Sequence, residues 1–242
     1  MDESISKAPD RIASMFDAIA GRYDLLNHLL SAGIDRRWRR RAIRSLSLTG
    51  TEHVLDLCTG TGDLAVAAAT ARPGAARIVG IDFAGAMLGV GRAKLRRAGL
   101  DARVVLVRGD TTRIPLDDQV VDAVTIGFGI RNVEDMGAAC REMRRVLKAG
   151  GRLAILEFGV PTTPGVSAFY LWYLRRVLPR IGRAISRHNA AYGYLPASIG
   201  AFATPDEFVK ILRHAGFSDV SAVPLTFGSV LLYTARRGEG IY

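Results

Sequence analysis

The residues best placed for chemistry lie in one stretch, Val54-Leu55-Asp56-Leu57-Cys58-Thr59-Gly60-Thr61-Gly62-Asp63. A short apolar run of strand character breaks there into a glycine turn that opens a helix. Gly60 and Gly62 let the backbone turn tightly and approach a ligand with no Cβ in the way. A lone Gly-x-Gly is compatible with simple strand-to-helix geometry, so the next segment matters. After a second apolar run, Arg77-Ile78-Val79-Gly80-Ile81, comes Asp82, 82−60 = 22 residues beyond the first glycine. That spacing matches an acid at the tip of a second parallel strand, placed to accept hydrogen bonds from ribose hydroxyls.

Two nucleosides compete for this arrangement, a dinucleotide and S-adenosylmethionine (SAM). A dinucleotide turn wants a third glycine and an unopposed helix N-terminus for its pyrophosphate. Here Asp56 precedes the turn and Asp63 follows it. Acids on both sides would repel a pyrophosphate but suit the sulfonium and ammonium of SAM, so SAM is the expected cofactor.

The elements that must position this turn follow from the pattern of apolar residues. With 242 residues and 49% hydrophobic content, the chain can bury one sizeable core, and a single domain is expected. Residues 9–45 read as helices broken at Gly21 and Gly33, and this preface carries Tyr23, Asp24, Asn27 and Trp38. Strands are expected near 53–57, 77–82, 103–108, 122–127 and 152–158, with helices to about 70 and over 84–98 and 134–148. Such alternation predicts a parallel sheet that binds ligands beyond its strand carboxyl ends. The third strand ends at Gly109-Asp110-Thr111, where Asp110 either reaches an adenine amino group or merely forms a turn. The fourth exits through Gly127-Phe128-Gly129-Ile130-Arg131-Asn132. Gly150-Gly151 are expected to end the helix before the fifth strand, and Glu157 caps that strand either in the site or in solvent. Residues 166–187 form an amphipathic pattern interrupted by Pro179, and its apolar face needs a partner. A helix over 205–215 leads into strands near 218–225 and 228–235, an antiparallel hairpin at a sheet edge.

The formal charge is +10, from 29 arginines and 4 lysines against 23 acids. Arginines cluster at 36, 37, 39, 40, 41 and 44, and again at 175, 176, 180, 183 and 187. They read either as solvated helix faces or as contacts to an anionic membrane surface. No aromatic-interleaved basic strand or recognition helix accompanies them, so nucleic acid is not expected as a partner. Cys58 and Cys140 are far apart and read as reduced thiols, which points to the cytoplasm, with the inner face of a membrane as a peripheral station. No segment has the pattern of a secretory signal or a bilayer span. The four histidines are scattered, and no metal site is expected.

Several segments taken together resemble the ubiquinone/menaquinone biosynthesis C-methyltransferase family. They are Met15-Phe16-Asp17 with Tyr23-Asp24 and Asn27, Ser31 to Trp38, Asp56 to Asp63, Gly127 to Val133, Arg145 to Phe158, and Tyr192-Gly193-Tyr194-Leu195 with Ser198. The resemblance implies a class I SAM-dependent methyltransferase fold. That is a Rossmann-like α/β sheet of seven mostly parallel strands with helices on both faces, N-terminal helices, and a helical insertion before the last two strands. The expected parts are an N-terminal helical cap (1–48), a SAM-binding core (49–160), a substrate cover (161–204), and a C-terminal helix and hairpin (205–242). The implied cofactor residues are Asp56, Gly60, Thr61, Gly62, Asp82, Asp110, Thr111 and Gly127. Gly127 stands where many members have serine, and it offers backbone groups only.

The implied reaction moves a methyl group from SAM to a ring carbon of a polyprenylated quinol, demethylmenaquinol above all. A benzoquinol, another lipophilic phenol or sterol, and a non-catalytic SAM-binding membrane-recruitment module stand as alternatives, and a homo-oligomer stays open. The ring must be reduced, because displacement at the methyl needs an electron-rich carbon and a phenolate is richer than a phenol. Arg131 and Asn132 leave the fourth strand opposite the glycine turn. They are the expected catalytic residues, Arg131 stabilising the phenolate and Asn132 orienting the ring hydroxyl. Tyr23 and Tyr192 are expected to wall the same pocket.

Overall fold

A computed structural model describes residues 7–177, 180 and 189–238. Five strands run parallel: β1 (His53–Leu57), β2 (Arg77–Asp82), β3 (Val104–Arg108), β4 (Val121–Gly127) and β5 (Leu147–Phe158). The last strand in the chain, β7 (Val230–Arg237), inserts antiparallel between β5 and the edge strand β6 (Phe217–Leu225). The sheet order is therefore β3-β2-β1-β4-β5-β7-β6, reversing direction between β1 and β4. That reversal opens a crevice beyond the strand ends.

Side-chain alternation along β1 feeds two cores. Val54 points into one, with Leu64, Ala65, Ala68 and Leu88, while Leu55 and Leu57 point into the other, with Met143, Phe208 and Tyr233. Helices α3 (Asp35–Ser45), α4 (Asp63–Thr70) and α5 (Gly85–Arg97) cover the first face. Helices α6 (Met136–Val146) and α9 (Pro205–His214) cover the second. A strand buried on both faces must be apolar nearly throughout, which is why these strands show continuous apolar runs. Helix α9 starts where expected, because Thr204 and Glu207 form a reciprocal capping box ahead of Pro205.

Two helices precede α3, namely α1 (Pro9–Ile19) and α2 (Tyr23–Leu30), joined by a 3₁₀ turn at Ala20–Arg22. They fold back over the sheet's carboxyl end. Asp17 accepts from the Ala86 amide at 2.8 Å, and Asp24 accepts from the Thr61 hydroxyl at 2.5 Å. Trp38 on α3 donates to Thr226 Oγ at 2.8 Å, tying the preface to the turn before β7. Past β5, α7 (Pro164–Trp172) runs into a π-helical turn at Tyr173–Val177, and α8 (Asn189–Gly200) follows. The expected interruption at Pro179 and the arginines at 183 and 187 lie outside the described residues, as does the side chain of Arg175.

One expectation fails at Gly150-Gly151. The helix ends earlier, at Val146, and β5 starts at once at Leu147. Val121 pairs with Leu147 but Ala123 with Arg152, so the glycines lie in a bulge. Gly150 has φ +72°, and a Cβ on Gly151 would lie 2.7 Å from the Lys148 carbonyl oxygen, so the bulge needs both.

The entry to β1 is held by Glu52, whose carboxylate accepts from the Thr49 and Gly50 amides and the Thr49 hydroxyl at 2.8–3.0 Å. Burial alone would raise this carboxyl, but these hydrogen bonds outweigh it and hold the pKa at about 2, against an ordinary 4.5. A depressed acid contributes stability above its unfolded pKa and loses it as pH falls through its folded one. Glu52→Gln should therefore be less stable than wild type at neutral pH. The gap should close as pH falls from about 4.5 to about 2, read by urea unfolding across that window. A gap that does not change with pH would remove the ionised carboxylate as its cause.

Candidate active site

The glycine turn has the geometry its residues foretell. Gly60 and Gly62 take positive φ, +57° and +81°, and Asp63 begins α4. Behind the turn, Asp56 accepts from Thr59 at 2.5 Å and Thr125 at 2.7 Å, bracing β1 against the turn and β4. Complete burial pushes the Asp56 carboxyl up to about 6, although both threonine hydroxyls pull the other way. At the tip of β2, Asp82 accepts from the Gly60 amide at 2.8 Å and the Ala84 amide at 2.9 Å. Burial raises its carboxyl too, against these backbone donors.

A first cavity opens in front of this turn, lined by Gly60, Asp82, Phe83, Met87, Thr111, Gly127, Asn132 and Val133 among others. Its described lining includes one carboxylate and no basic side chain. The donor set fits a nucleoside bearing a sulfonium: an acid for the ribose diol, apolar walls for the base, and no cation for a pyrophosphate. Of the expected cofactor residues, Gly60, Asp82, Thr111 and Gly127 line this cavity. Asp56, Thr61 and Gly62 form the frame of the turn. Asp110 is occupied as a turn former, its Oδ1 accepting from the Thr112 amide and hydroxyl at 2.7 Å each.

Asp63 does not act as expected. It pairs with Lys94 at 2.5 Å and Arg39 at 3.3 Å, and despite its burial these two cations hold its carboxyl below the ordinary range. Its charge is spent holding α3 and α5 to the turn rather than facing a ligand. His28, Asp35 and Asp63 bring three potential ligand atoms within 4.8 Å of one another. The Arg39 guanidinium donates to Asp35 and forms an ion pair with Asp63, and so already supplies the positive charge this cluster calls for.

A second cavity lies beside the first under α1, α2 and α7. Its apolar lining comes from Met15, Ile19, Leu26, Trp38, Phe158 and Leu174, with Tyr170, Tyr173 and Tyr194 adding rings. Phe16, Tyr23 and Phe128 line both cavities and form the partition between them. Phe128 takes φ +61°, a conformation costly for a non-glycine residue and enriched where function demands it. Its ring rests 4.5 Å from that of Phe158.

Tyr23 is among the residues lining both cavities, and burial raises its phenol despite a bond to Asn27 and the nearby Arg131 and Arg39. Tyr192 is different, because its side chain lies outside the described residues. Two positions on, Tyr194 reaches the site, donating to Asn132 Oδ1 at 3.0 Å. Arg131 lines the second cavity, but it is anchored first of all as a structural cation. Its Nη1 donates to Glu157 at 2.7 Å and to the Phe128 carbonyl, and its Nε donates to Ser198 at 3.3 Å. Glu157 is fully buried at the end of β5 rather than solvated, so the pair pins the β4 exit to β5. Burial pushes the Cys58 thiol up to about 12, so it carries no nucleophilic thiolate.

Comparison with known proteins agrees with this geometry. A model of the ubiE/COQ5 methyltransferase family matches residues 5–237. A ubiquinone/menaquinone biosynthesis C-methyltransferase from Geobacter sp. (strain M21) is 46% identical over 234 residues, covering 97% of this chain and 99% of its own. A demethylmenaquinone methyltransferase from Bacteroides fragilis is 40% identical over 232 residues, covering 96% and 94%. Among solved structures, the [4+2]-cyclase SpnF superposes with a TM-score of 0.68 at 18% identity, covering 96% of this chain and 98% of its own. A SAM-dependent methyltransferase from Aquifex aeolicus gives 0.58 at 18%, covering 82% and 89%. At such identities these two structures speak for the fold alone.

Asp82→Ala should weaken SAM binding by about 1.5 to 3 kcal/mol, roughly ten- to a hundredfold, because two ribose hydroxyls lose a charged acceptor. Calorimetric titration of the folded variant measures this, and an unchanged affinity would take Asp82 out of the site.

Proposed function

The chain belongs to the ubiE/COQ5 methyltransferase family and is a SAM-dependent C-methyltransferase, and we propose that its acceptor is the reduced ring of a polyprenylated demethylmenaquinol. The observation that carries this reading is the shared partition. A nucleoside site and an apolar, aromatic-lined cavity meet across Phe16, Tyr23 and Phe128, as transfer between a polar donor and a lipophilic acceptor requires. We assign the SAM contacts to Gly60, Asp82, Thr111 and Gly127, with Asp56, Thr61, Gly62 and Asp110 shaping the backbone that presents them. When bound, SAM supplies an electrophilic methyl group.

The chain's own residues do the rest by position and field. Phe128, Phe158 and the tyrosines hold a flat ring and keep water from the transfer. The guanidiniums of Arg131 and Arg39 border the cavity and favour a phenolate over a phenol. Asn132 lines the donor side of the partition, where its amide can orient a ring hydroxyl. Tyr194 and Tyr23 fix its surroundings. No covalent nucleophile is needed, because the acceptor carbon is itself the nucleophile. Purified chain, SAM and a reduced short-chain demethylnaphthoquinol should give a product heavier by one methylene, by mass spectrometry. Methylation of a benzoquinol alone would move the acceptor to ubiquinone chemistry, and no product with either would overturn the reading.

A membrane is where such an acceptor resides, and the surface around the cavity suits one. Leu25, Leu29, Phe169, Trp172 and Phe227 are exposed, and each lies within two residues of a residue lining the cavity. Beside them α3 presents Arg36, Arg37, Arg40, Arg41 and Arg44 to solvent, with no carboxylate partner among the described residues. Apolar side chains to insert and cations for anionic headgroups are the two signals of reversible membrane docking. No helix among the described residues is long and apolar enough to cross a bilayer, so the contact we propose is peripheral. The chain should float with anionic liposomes at low salt and be released by high salt. Changing Arg36, Arg40 and Arg44 to Glu should abolish flotation. Binding that ignores both salt and these changes would leave the arginines as a solvated face.

A further inference from the structure

A groove of about 860 Å³ is formed by α3, α4 and the loop that follows α4. It shares only Arg39 with the acceptor cavity and no residue with the donor cavity. Its lining includes Arg36, Arg40 and Arg44 of α3, and Arg72, two residues past the end of α4, comes from the α4 side. Helix positions four apart share a face, so the three α3 arginines form a row about 12 Å long at about 1.5 Å per residue. Ile43, Leu48, Val66 and Ala67 supply an apolar lining beside them.

The chain leaves these charges uncompensated. Arg36, Arg40, Arg44 and Arg72 are exposed, and none has a carboxylate partner among the described residues. Asp63 is the one carboxylate on the described lining, and Lys94 and Arg39 already pair with it. Arg39 is itself taken up by Asp35 and Asp63, and the His28 ring bonds Asp35. Four guanidiniums therefore share one concavity with no counter-charge left to meet them. Like charges four residues apart on a helix repel, and a ligand that brings negative charge turns this cost into attraction.

A guanidinium presents a planar fork of donors that matches two oxygens of a phosphate. A row of three forks, with a fourth from another element, exceeds what one phosphate can occupy and suits two phosphates joined by a short linker. We propose that this groove binds a paired-phosphate ligand, held by Arg36, Arg40 and Arg44 together with Arg72. Two sources offer that chemistry, the headgroup of a diphosphatidyl lipid and free diphosphate. The lipid source rests on the membrane docking proposed above, whereas recognition of paired phosphates by the groove does not. The groove also differs from a general attraction to anionic surfaces. A diffuse field counts every arginine alike, but a site counts those that line it. Arg37 and Arg41 provide the contrast, because they are exposed on the same helix yet absent from the lining.

Calorimetric titration of the full chain with inorganic diphosphate, at fixed salt, tests the site. Wild type should bind it, and Arg40→Gln and Arg72→Gln should each weaken binding about tenfold or more, the scale of a lost charge-assisted bond. Arg37→Gln combined with Arg41→Gln removes two charges outside the groove and should change the affinity far less. Unchanged unfolding midpoints establish that the variants are folded. Equal weakening by all these changes would overturn the site and leave a charged helix face.

Flotation separates the sources, using vesicles of diphosphatidylglycerol or of phosphatidylglycerol diluted with neutral lipid to equal charge. A lipid source gives a preference for the diphosphatidyl vesicles that free diphosphate competes away and Arg72→Gln loses. Equal flotation on both, with diphosphate still bound by wild type, assigns the groove to the free ligand. A wild type that neither binds diphosphate nor prefers diphosphatidyl vesicles overturns the proposal. No flotation on either vesicle overturns the membrane docking instead, and the titration still decides on the groove.

Discussion

The active site depends on a charge network behind the glycine turn rather than on the turn alone. Lys94 of α5 bonds Asp24 of α2 at 2.5 Å and Asp63 of α4 at 2.5 Å. Asp24 also accepts from the Thr61 hydroxyl, within the turn. Arg39 of α3 extends the network to Asp35, and through it to His28 and Ser31. A helical preface of about 40 residues buries little by itself, and helices this short are marginal without tertiary support. The network fixes where the preface lands, and so creates the second cavity beside the first. Because most of these groups are largely buried, losing one partner would leave a charge uncompensated, which costs more than the pair's own attraction contributes.

The fold was legible because its signals are local. Apolar runs alternating with helical periodicity, and an acid 22 residues beyond the first glycine, both follow from chain geometry at short range. Gly150 and Gly151 misled because glycine after a basic helical turn has two structural uses, a helix stop and a strand bulge, and only the pairing partner distinguishes them. Asp63 misled for a related reason. Its position beside the turn was readable, but its direction is set by Lys94 and Arg39, which come from other helices.

The site was legible in proportion to how close its residues lie in sequence. Asp82, Gly60 and the exit of β4 belong to the sheet, and the structure brings them to one cavity. The contact between Asp35 and His28 was not legible, because the two meet across the chain reversal at Gly33, which no periodicity spans. Tyr194 sits in a helix rich in small and aromatic residues, and helix phase alone does not say that it turns inward. Phe128 offered a usable signal, a bulky ring between two glycines. Gly129 explains part of it, since a Cβ there would lie 2.3 Å from that of Cys58. The loop must pass close to the turn, so glycine is required at 129 while an aromatic side chain lines both cavities at 128.

Arg131 joins this frame to the chemistry. Glu157 is fully buried, and a charge so placed persists only with a well-formed partner, so Arg131 is fixed whatever the ligand. The role proposed for it in the reaction draws on the same anchoring. A guanidinium held by Glu157, Ser198 and the Phe128 carbonyl has little freedom to reorganise, and preorganised charge is the kind that stabilises a developing anion. The anchoring that makes Arg131 structural is then also what gives its field a fixed direction. Near it, Arg39 stands in the same relation to Asp35. The cavity is thus bordered by two cations whose counter-ions differ in their place relative to its lining. Glu157 lies outside the lining, whereas Asp35 lies on it, so the field of Arg131 meets the cavity without its counter-ion between them while that of Arg39 does not.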